Sequence, residues 1–214
     1  MELESFLSKE ALEATNGLIY PYPHIVIDNF LNDKTIDKLS ASARVSPKEK
    51  NNSREGLSNG RSIMWGVLND LDLVRFFYGK EFRSYISRLW AEEAHISKGS
   101  LPQLTEFVGD ERGFDVHNDE YELFDLVFLL YIEGPDEGSG GAFCLHDVNK
   151  NNDIVKKVYP IRNRCLMFKV SEKSYHSVEG IGAQSLRLNL TLDWELPKSH
   201  RAIHRRSLSL NKNV

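Results

Sequence analysis

Three residues have the types and spacing of a metal site: His117 and Asp119, separated by one residue, and His176 in a Tyr-His-Ser-Val segment. In an extended chain, residues i and i+2 point to the same face, so His117 and Asp119 can direct an imidazole and a carboxylate to one point. Two imidazoles and one carboxylate can hold iron(II) and leave other coordination positions open for reactants. Neither segment contains a cysteine, whose thiolate would favour zinc.

Each part of this set also has a purely structural interpretation. The chain contains seven histidines, so a His-x-Asp pair arises readily by chance. A single histidine such as His176 is more often a structural or exposed residue than a ligand. The metal hypothesis therefore needs support from the rest of the chain.

The segment after His176 alternates strictly between apolar and polar residues. Leu186, Leu188, Leu190 and Leu192 alternate with Arg187, Asn189, Thr191 and Asp193. This period of two predicts a β-strand with one apolar and one polar face. If the polar face lines a barrel interior, the enclosed Arg187 needs an anion, and its guanidinium fits a carboxylate of a dicarboxylate cosubstrate. The alternation alone favours the simpler interpretation, a polar face in contact with solvent.

Helical patterns come first along the chain and short strands follow. We expect helices within 3–15, 29–43 and 68–94, the last divided at Gly79, a first strand at 24–28, and a polar loop at 46–62. After residue 100, strands are expected at 104–108, 126–132, 142–145, 154–159, 165–170 and 186–194. The predicted fold is α+β, a layer of N-terminal helices packed on an antiparallel jelly roll.

Length and composition favour an ordinary globular protein. The 214 residues suit a single domain at 1–197, with a jelly-roll core at about 100–196 and a basic tail at 198–214. A net charge of -4 gives no basic field for nucleic acid, and no run of about 20 apolar residues or signal peptide is present. Cys144 and Cys165 lie in apolar runs and are expected to be buried, reduced thiols. We expect a cytoplasmic protein that binds neither membrane nor nucleic acid.

The order of these motifs resembles the prolyl 4-hydroxylase-like branch of the 2-oxoglutarate/Fe(II) oxygenases. The resemblance covers roughly residues 20–196, and each motif is weak alone, but their order and spacing together are specific. The segments that carry it are Pro23–Leu31, Phe114–Asp119, Leu130–Ile132, Gly140–Phe143, Tyr159–Phe168, Tyr175–Val178 and Arg187–Trp194.

The resemblance implies a double-stranded β-helix, a cupin-like jelly roll, with Fe(II) held by the catalytic residues His117, Asp119 and His176. Arg187 would bind the distal carboxylate of the cosubstrate 2-oxoglutarate, with Tyr131 as a second donor or a core residue. O2 would be the oxidant and ascorbate a further candidate cofactor. The implied reaction hydroxylates an unactivated C–H of an amino acid, prolyl residue or related metabolite and releases succinate and CO2.

The chain departs from the family pattern at two positions. Phe107 stands where several relatives have a second cosubstrate-binding tyrosine, and Tyr175 replaces a tryptophan before His176. The carboxylate of Asp119 argues against halogenation, since the halogenating relatives have a small residue there.

Two other functions stay open: a non-catalytic cupin-like module that binds a metal or small molecule, and a hydrolytic zinc enzyme, for which no general base is evident. Arg61, Trp65 and Arg112 are candidates for contact with a small-molecule or peptidyl substrate. Solvated or core roles are more usual for such residues. The loop 46–62 and the hairpin 133–141 could cover the mouth of the site.

Overall fold

The computed structural model describes residues 2–15, 17–50, 63–109, 112–120 and 122–197. Four α-helices lie within these ranges: α1 (Lys9–Glu13), α2 (Asp33–Val45), α3 (Leu71–Phe77) and α4 (Lys80–Trp90). The first six strands are β1 (His24–Ile27), β2 (Lys48–Lys50), β3 (Ile63–Val67), β4 (His95–Ile96), β5 (Gln103–Val108) and β6 (Phe114–His117). The other six are β7 (Leu126–Glu133), β8 (Phe143–Asp147), β9 (Asp153–Val158), β10 (Cys165–Lys169), β11 (His176–Val178) and β12 (Leu186–Glu195).

The strands form two antiparallel sheets. In the described part of the chain, the major sheet has eight strands, ordered β1-β10-β7-β12-β5-β3-β2, with β4 added beside β12. The minor sheet has four strands, ordered β6-β11-β8-β9. Most neighbours in the sheets are far apart in sequence, as in a double-stranded β-helix. The predicted fold is therefore confirmed.

Strand β12 separates two apolar clusters in the way that its alternation predicts. Leu188, Leu190 and Leu192 are completely buried against the helical layer, where aromatic side chains of α3 and α4 pack on the same sheet face. Burial of each leucine stabilises the fold by about 1.5–3 kcal/mol. The opposite face of β12 carries Arg187 and Asn189 into the space between the two sheets.

A bulge in β7 changes the direction of its side chains beside β12. Leu188 is opposite Glu133, and Asn189 is opposite Tyr131, so Ile132 is an additional residue in β7. Glu133 reaches α2, where Arg44 Nε donates to its carboxylate at 2.7 Å. Tyr131 belongs to the apolar cluster between the sheets. The bulge therefore allows Glu133 to contact a helix while Tyr131 lies beside Arg187.

Side chains cap the beginnings of α2 and α3. Asn32 precedes α2, and its side chain accepts a hydrogen bond from the Thr35 N–H at 2.9 Å. Asp70 caps α3 by accepting from two backbone N–H groups of the first turn. Gly79 separates α3 from α4, as predicted. The helix expected over 3–15 is divided into a short 3-10 turn, Leu3–Ser5, and α1.

The polar loop predicted at 46–62 is wrong at its beginning, where the chain forms a strand. Lys48–Lys50 pairs with Ile63–Val67 as an edge hairpin of the major sheet, and neither strand was predicted. Pairing with β5 supplies the partners that these short, weakly patterned segments lack locally. Residues 51–62 lie outside the described ranges, as does the tail 198–214, so the proposed tail and the extent of the domain stay predictions.

Cys144 and Cys165 are buried free thiols, as expected. None of the helices in the described ranges is both long and apolar enough to cross a membrane.

Candidate metal centre

Two neighbouring strands of the minor sheet bring the predicted histidines together. His117 on β6 is directly opposite His176 on β11. Strand β6 ends at His117, so Asp119 reaches the same place from the segment after the strand. Asp119 therefore lies beside the two histidines from a position just beyond the hydrogen-bonded strand.

The three side chains are close enough to bind one ion. Asp119 has one carboxylate oxygen 4.0 Å from His117 Nε2 and the other 3.6 Å from His176 Nε2. One ligand atom from each residue lies within 4.8 Å of the other two. Ligand bonds of about 2 Å bring such atoms to within about 4 Å of one another, so small side-chain rotations complete the site. Two imidazoles, one carboxylate and no thiolate fit iron(II).

Backbone carbonyls orient both imidazoles. His117 Nδ1 donates to the carbonyl of Asp115 at 2.7 Å, and His176 Nδ1 donates to the carbonyl of Ser174 at 2.9 Å. A carbonyl only accepts, so each Nδ1 carries the proton and each Nε2 keeps a lone pair. Such hydrogen bonds fix the tautomer of a metal-binding histidine. The sequence gives no sign of these contacts, because each depends on the local backbone geometry.

His176 lies in an apolar environment. Its ring stacks on Phe143 with centroids 4.8 Å apart, and the Phe168 ring lies 5.1 Å away. Burial lowers the pKa of His176 to about 4, opposed in part by the charge of Asp119. The imidazole is therefore neutral near pH 7 and keeps the lone pair that a metal needs.

Arg187 is enclosed, as one of the two sequence interpretations predicts. Its side chain is 1% exposed, and its guanidinium lies over the rings of Phe107 at 4.7 Å and Tyr131 at 5.3 Å. Among the described residues, Arg187 Nε and Nη1 and the Tyr131 hydroxyl make no hydrogen bond. Burial lowers the pKa of Arg187 and raises that of Tyr131. A buried cation beside an unused hydroxyl fits the carboxylate of a dicarboxylate ligand.

One cavity of about 130 Å³ joins the metal-binding set to Arg187. Aromatic rings line part of its wall, including Trp65, one of the candidates for substrate contact. Arg112 does not line this cavity, and Arg61 lies outside the described residues. The sequence analysis did not identify Gln103, Thr105 and Phe124, which also line it. The alternation within Gln103–Val108 could have suggested the first two.

Residues 109–194 match the model of the 2OG-Fe(II) oxygenase superfamily. The chain is 24% identical over 184 residues to the prolyl 3-hydroxylase OGFOD1 of Mus musculus, covering 80% of this chain and 32% of the mouse protein. It is 23% identical over 191 residues to the Xenopus laevis protein of the same name, covering 81% and 36%. The chain thus spans about a third of the length of these curated relatives.

Solved structures of the same fold include a prolyl hydroxylase from Trichoplax adhaerens, crystallised with a hypoxia inducible factor oxygen degradation domain peptide fragment. It aligns with a TM-score of 0.63 at 20% identity over 85% of this chain and 86% of that one. A prolyl-4-hydroxylase from Pseudomonas putida aligns with a TM-score of 0.57 at 16% identity, over 80% and 91%. These likenesses show the fold.

The family match, the fold and the residues of the site are all similar to those of the 2OG-Fe(II) oxygenases, an oxidoreductase class that uses Fe(II), 2-oxoglutarate and O2. Within that class, the chain is similar to the prolyl hydroxylases.

Proposed function

We propose that this protein is a 2-oxoglutarate-dependent hydroxylase whose substrate is a prolyl residue in a peptide or protein. The observation that carries the proposal is a single cavity that contains both the His117, Asp119 and His176 set and the buried, unpaired donors of Arg187. A metal alone would need no enclosed guanidinium. A metal with a dicarboxylate cosubstrate uses both.

Each residue has a defined role in this proposal. His117, Asp119 and His176 hold Fe(II), which supplies the oxygen chemistry when bound. Arg187 pairs with the distal carboxylate of 2-oxoglutarate, and the Tyr131 hydroxyl donates to the same group. The rings of Phe143 and Phe168 beside His176 keep water from the metal-binding face. In the balanced reaction, one oxygen atom enters the substrate C–H bond, the other enters succinate, and CO2 leaves.

The substrate is inferred from the relatives. Two curated relatives are named prolyl 3-hydroxylases, and the Trichoplax adhaerens structure holds a peptide fragment. The metal-binding residues and Arg187 would suit the oxidation of a free amino acid or a related metabolite equally well. Peptides must therefore be compared with these substrates.

The test is succinate release from 2-oxoglutarate under Fe(II) and O2, screened over proline-containing peptides and free amino acids. We expect release that rises with one or more peptides, together with a product heavier by one oxygen atom. The Asp119→Asn variant should lose this activity. Asp153→Asn, a change at an exposed carboxylate outside the cavity, should keep it.

Metal binding without any consumption of 2-oxoglutarate would contradict the proposal and favour the non-catalytic module. Activity with Zn(II) in the absence of 2-oxoglutarate would favour a hydrolase instead. Oxidation of free amino acids alone would keep the enzyme class and reject the peptidyl substrate.

A further inference from the structure

A row of four side chains crosses the major sheet beneath the cavity. Asn189 on β12 is directly opposite Tyr131 on one side and Thr105 on the other, and Thr105 is opposite Trp65 on β3. Asn189, Thr105 and Trp65 line the cavity. These three residues therefore face whatever molecule occupies the cavity.

Asn189 has a buried acceptor with no donor. Its side chain is 3% exposed, and its Nδ2 donates to Thr191 Oγ1 at 3.2 Å. In the described part of the protein, no group donates to Asn189 Oδ1. Burial of a carbonyl oxygen without a hydrogen bond costs free energy. Such an atom in a binding cavity therefore indicates that a bound ligand supplies the donor.

The proposed cosubstrate cannot supply the missing hydrogen. At neutral pH both carboxylates of 2-oxoglutarate and its keto oxygen are acceptors only. The unpaired donors of Arg187 and Tyr131 suit that molecule. Asn189 Oδ1 has the opposite polarity and needs a second molecule that carries an N–H or O–H group.

We propose that Asn189 is a substrate-binding residue, whose Oδ1 accepts a hydrogen bond from an N–H or O–H group of the molecule that is oxidised. This inference rests on the proposed hydroxylase function and adds a specificity-determining residue to it. A prolyl residue inside a peptide has no N–H of its own, so for a peptide the donor is a backbone N–H of an adjacent residue. Asn189 would thus recognise the peptide backbone beside the proline through a hydrogen bond.

The experiment measures binding without turnover. Mn(II) replaces Fe(II) in the full-length protein, 2-oxoglutarate is present, and calorimetry gives the Kd of a proline-containing peptide that the wild type hydroxylates. Asn189→Leu keeps the volume and removes the acceptor, and we expect it to weaken peptide binding about tenfold, the loss of one buried hydrogen bond. Asn189→Asp keeps acceptors and should retain most of the affinity.

Two further measurements decide between substrate and cosubstrate. The Kd of 2-oxoglutarate for the Mn(II) protein should be the same in wild type and Asn189→Leu. Methylating the peptide N–H groups beside the proline one at a time should reproduce the tenfold loss at one position in the wild type, with no further loss there in Asn189→Leu.

An unchanged peptide Kd in Asn189→Leu overturns the inference while leaving the hydroxylase function intact. So does a loss in Asn189→Asp as large as in Asn189→Leu, because the amide would then act as a donor. If the wild type hydroxylates no peptide, the peptidyl function fails. Asn189 is then judged on the free amino acid or metabolite that raises succinate release: a Kd for that molecule raised about tenfold in Asn189→Leu supports the inference, and an unchanged Kd overturns it.

Discussion

At the residue scale, a hydrogen bond at Nδ1 of each histidine leaves the other ring nitrogen, Nε2, free to bind a metal. Backbone carbonyls accept from His117 Nδ1 and His176 Nδ1, which leaves both Nε2 lone pairs near Asp119. Arg187 is likewise available to a ligand, because its buried donors Nε and Nη1 make no hydrogen bond within the described residues. Buried donors without a partner in the described part of the protein, such as Arg187 Nε and Nη1, are more typical of binding sites than of structural cores.

Replacing Arg187 tests the cosubstrate site. We expect Arg187→Ala to weaken 2-oxoglutarate binding at least about 30-fold, because a buried charge-assisted hydrogen-bonded pair is lost. Arg187→Lys should recover part of the affinity, since lysine keeps the charge and not the fork. The measurement is the Kd of 2-oxoglutarate in the Mn(II) protein. Arg162→Ala, which removes a surface ion pair with Asp37 at 2.6 Å, is the matched control and should bind normally.

The Mn(II) affinity of Arg187→Ala should stay within a few-fold of the wild type. A variant that loses metal and cosubstrate together would show that Arg187 supports the fold of the site instead of binding the cosubstrate.

The buried state of His176 predicts a pH dependence of stability in the metal-free protein. The folded pKa of about 4 lies below the ordinary histidine pKa of 6.5, so the unfolded chain binds more protons between these values. Stability therefore falls as the pH decreases from about 6.5 towards 4. Relative to pH 7, we expect His176 to lower the free energy of unfolding by about 2 kcal/mol at pH 5.

Chemical denaturation of the wild type and His176→Gln at several pH values isolates this contribution. The difference between the two proteins should change with pH below about 6.5 and be constant above it. Parallel curves over the whole range would contradict the burial of a neutral imidazole.

At the scale of elements, the turn before β10 fastens the N-terminal segment to the major sheet. Asn163 has a φ of 67°, and its buried side chain accepts from the Leu31 N–H at 2.9 Å and donates to the Leu31 carbonyl at 2.8 Å. Its own N–H donates to the Tyr131 carbonyl at 2.8 Å. This single residue thus connects β1, α2 and the strand that carries Tyr131.

We expect Asn163→Ala to destabilise the protein by about 2–4 kcal/mol, because two backbone groups of Leu31 lose their partners and alanine disfavours the positive φ. Asn163→Gly should destabilise the protein less than Asn163→Ala, because glycine tolerates the positive φ. It still leaves the two backbone groups of Leu31 without partners. Asn151→Ala, at an exposed residue with a φ of 56°, is the control and should cost about 1 kcal/mol. Equal losses at the two positions, measured by denaturant unfolding, would reject the role of the Asn163 side chain.

At the scale of the whole molecule, the site joins the two sheets. The histidines come from the minor sheet and Arg187 from the major sheet, so a metal held by the histidines and a cosubstrate held by Arg187 would together contact both layers. Ligands that bind only the folded state stabilise it, by about 2.7 kcal/mol at a concentration one hundred times the Kd.

Thermal unfolding should therefore show a rise in Tm with Mn(II) and a further rise when 2-oxoglutarate is added. His176→Gln should lose most of the first increase, and Arg187→Ala should lose only the second. A chelator should reverse both effects in the wild type. A Tm that responds to 2-oxoglutarate without metal would contradict a shared site.

Much of the fold could be predicted from the sequence, because local patterns reflect burial that the final structure retains. The alternation in Leu186–Trp194 predicted both faces of β12, and the helical spacing around Gly79 predicted α3 and α4. The hairpin of β2 and β3 was missed, since its short strands depend on pairing with β5. The end of β6 before Asp119 could not be predicted either, because strand ends are set by pairing.

The sequence by itself determined which side chains could hold a metal and an anion, because residue type decides which ligand chemistry is available. Only the tertiary structure decided that β6 and β11 pair at the two histidines, that Arg187 is enclosed, and that Asn189 lines the same cavity with an unsatisfied oxygen. Those facts depend on contacts between segments far apart in the chain. Local periodicity constrains which face a residue occupies, whereas packing of the two sheets decides what that face encloses.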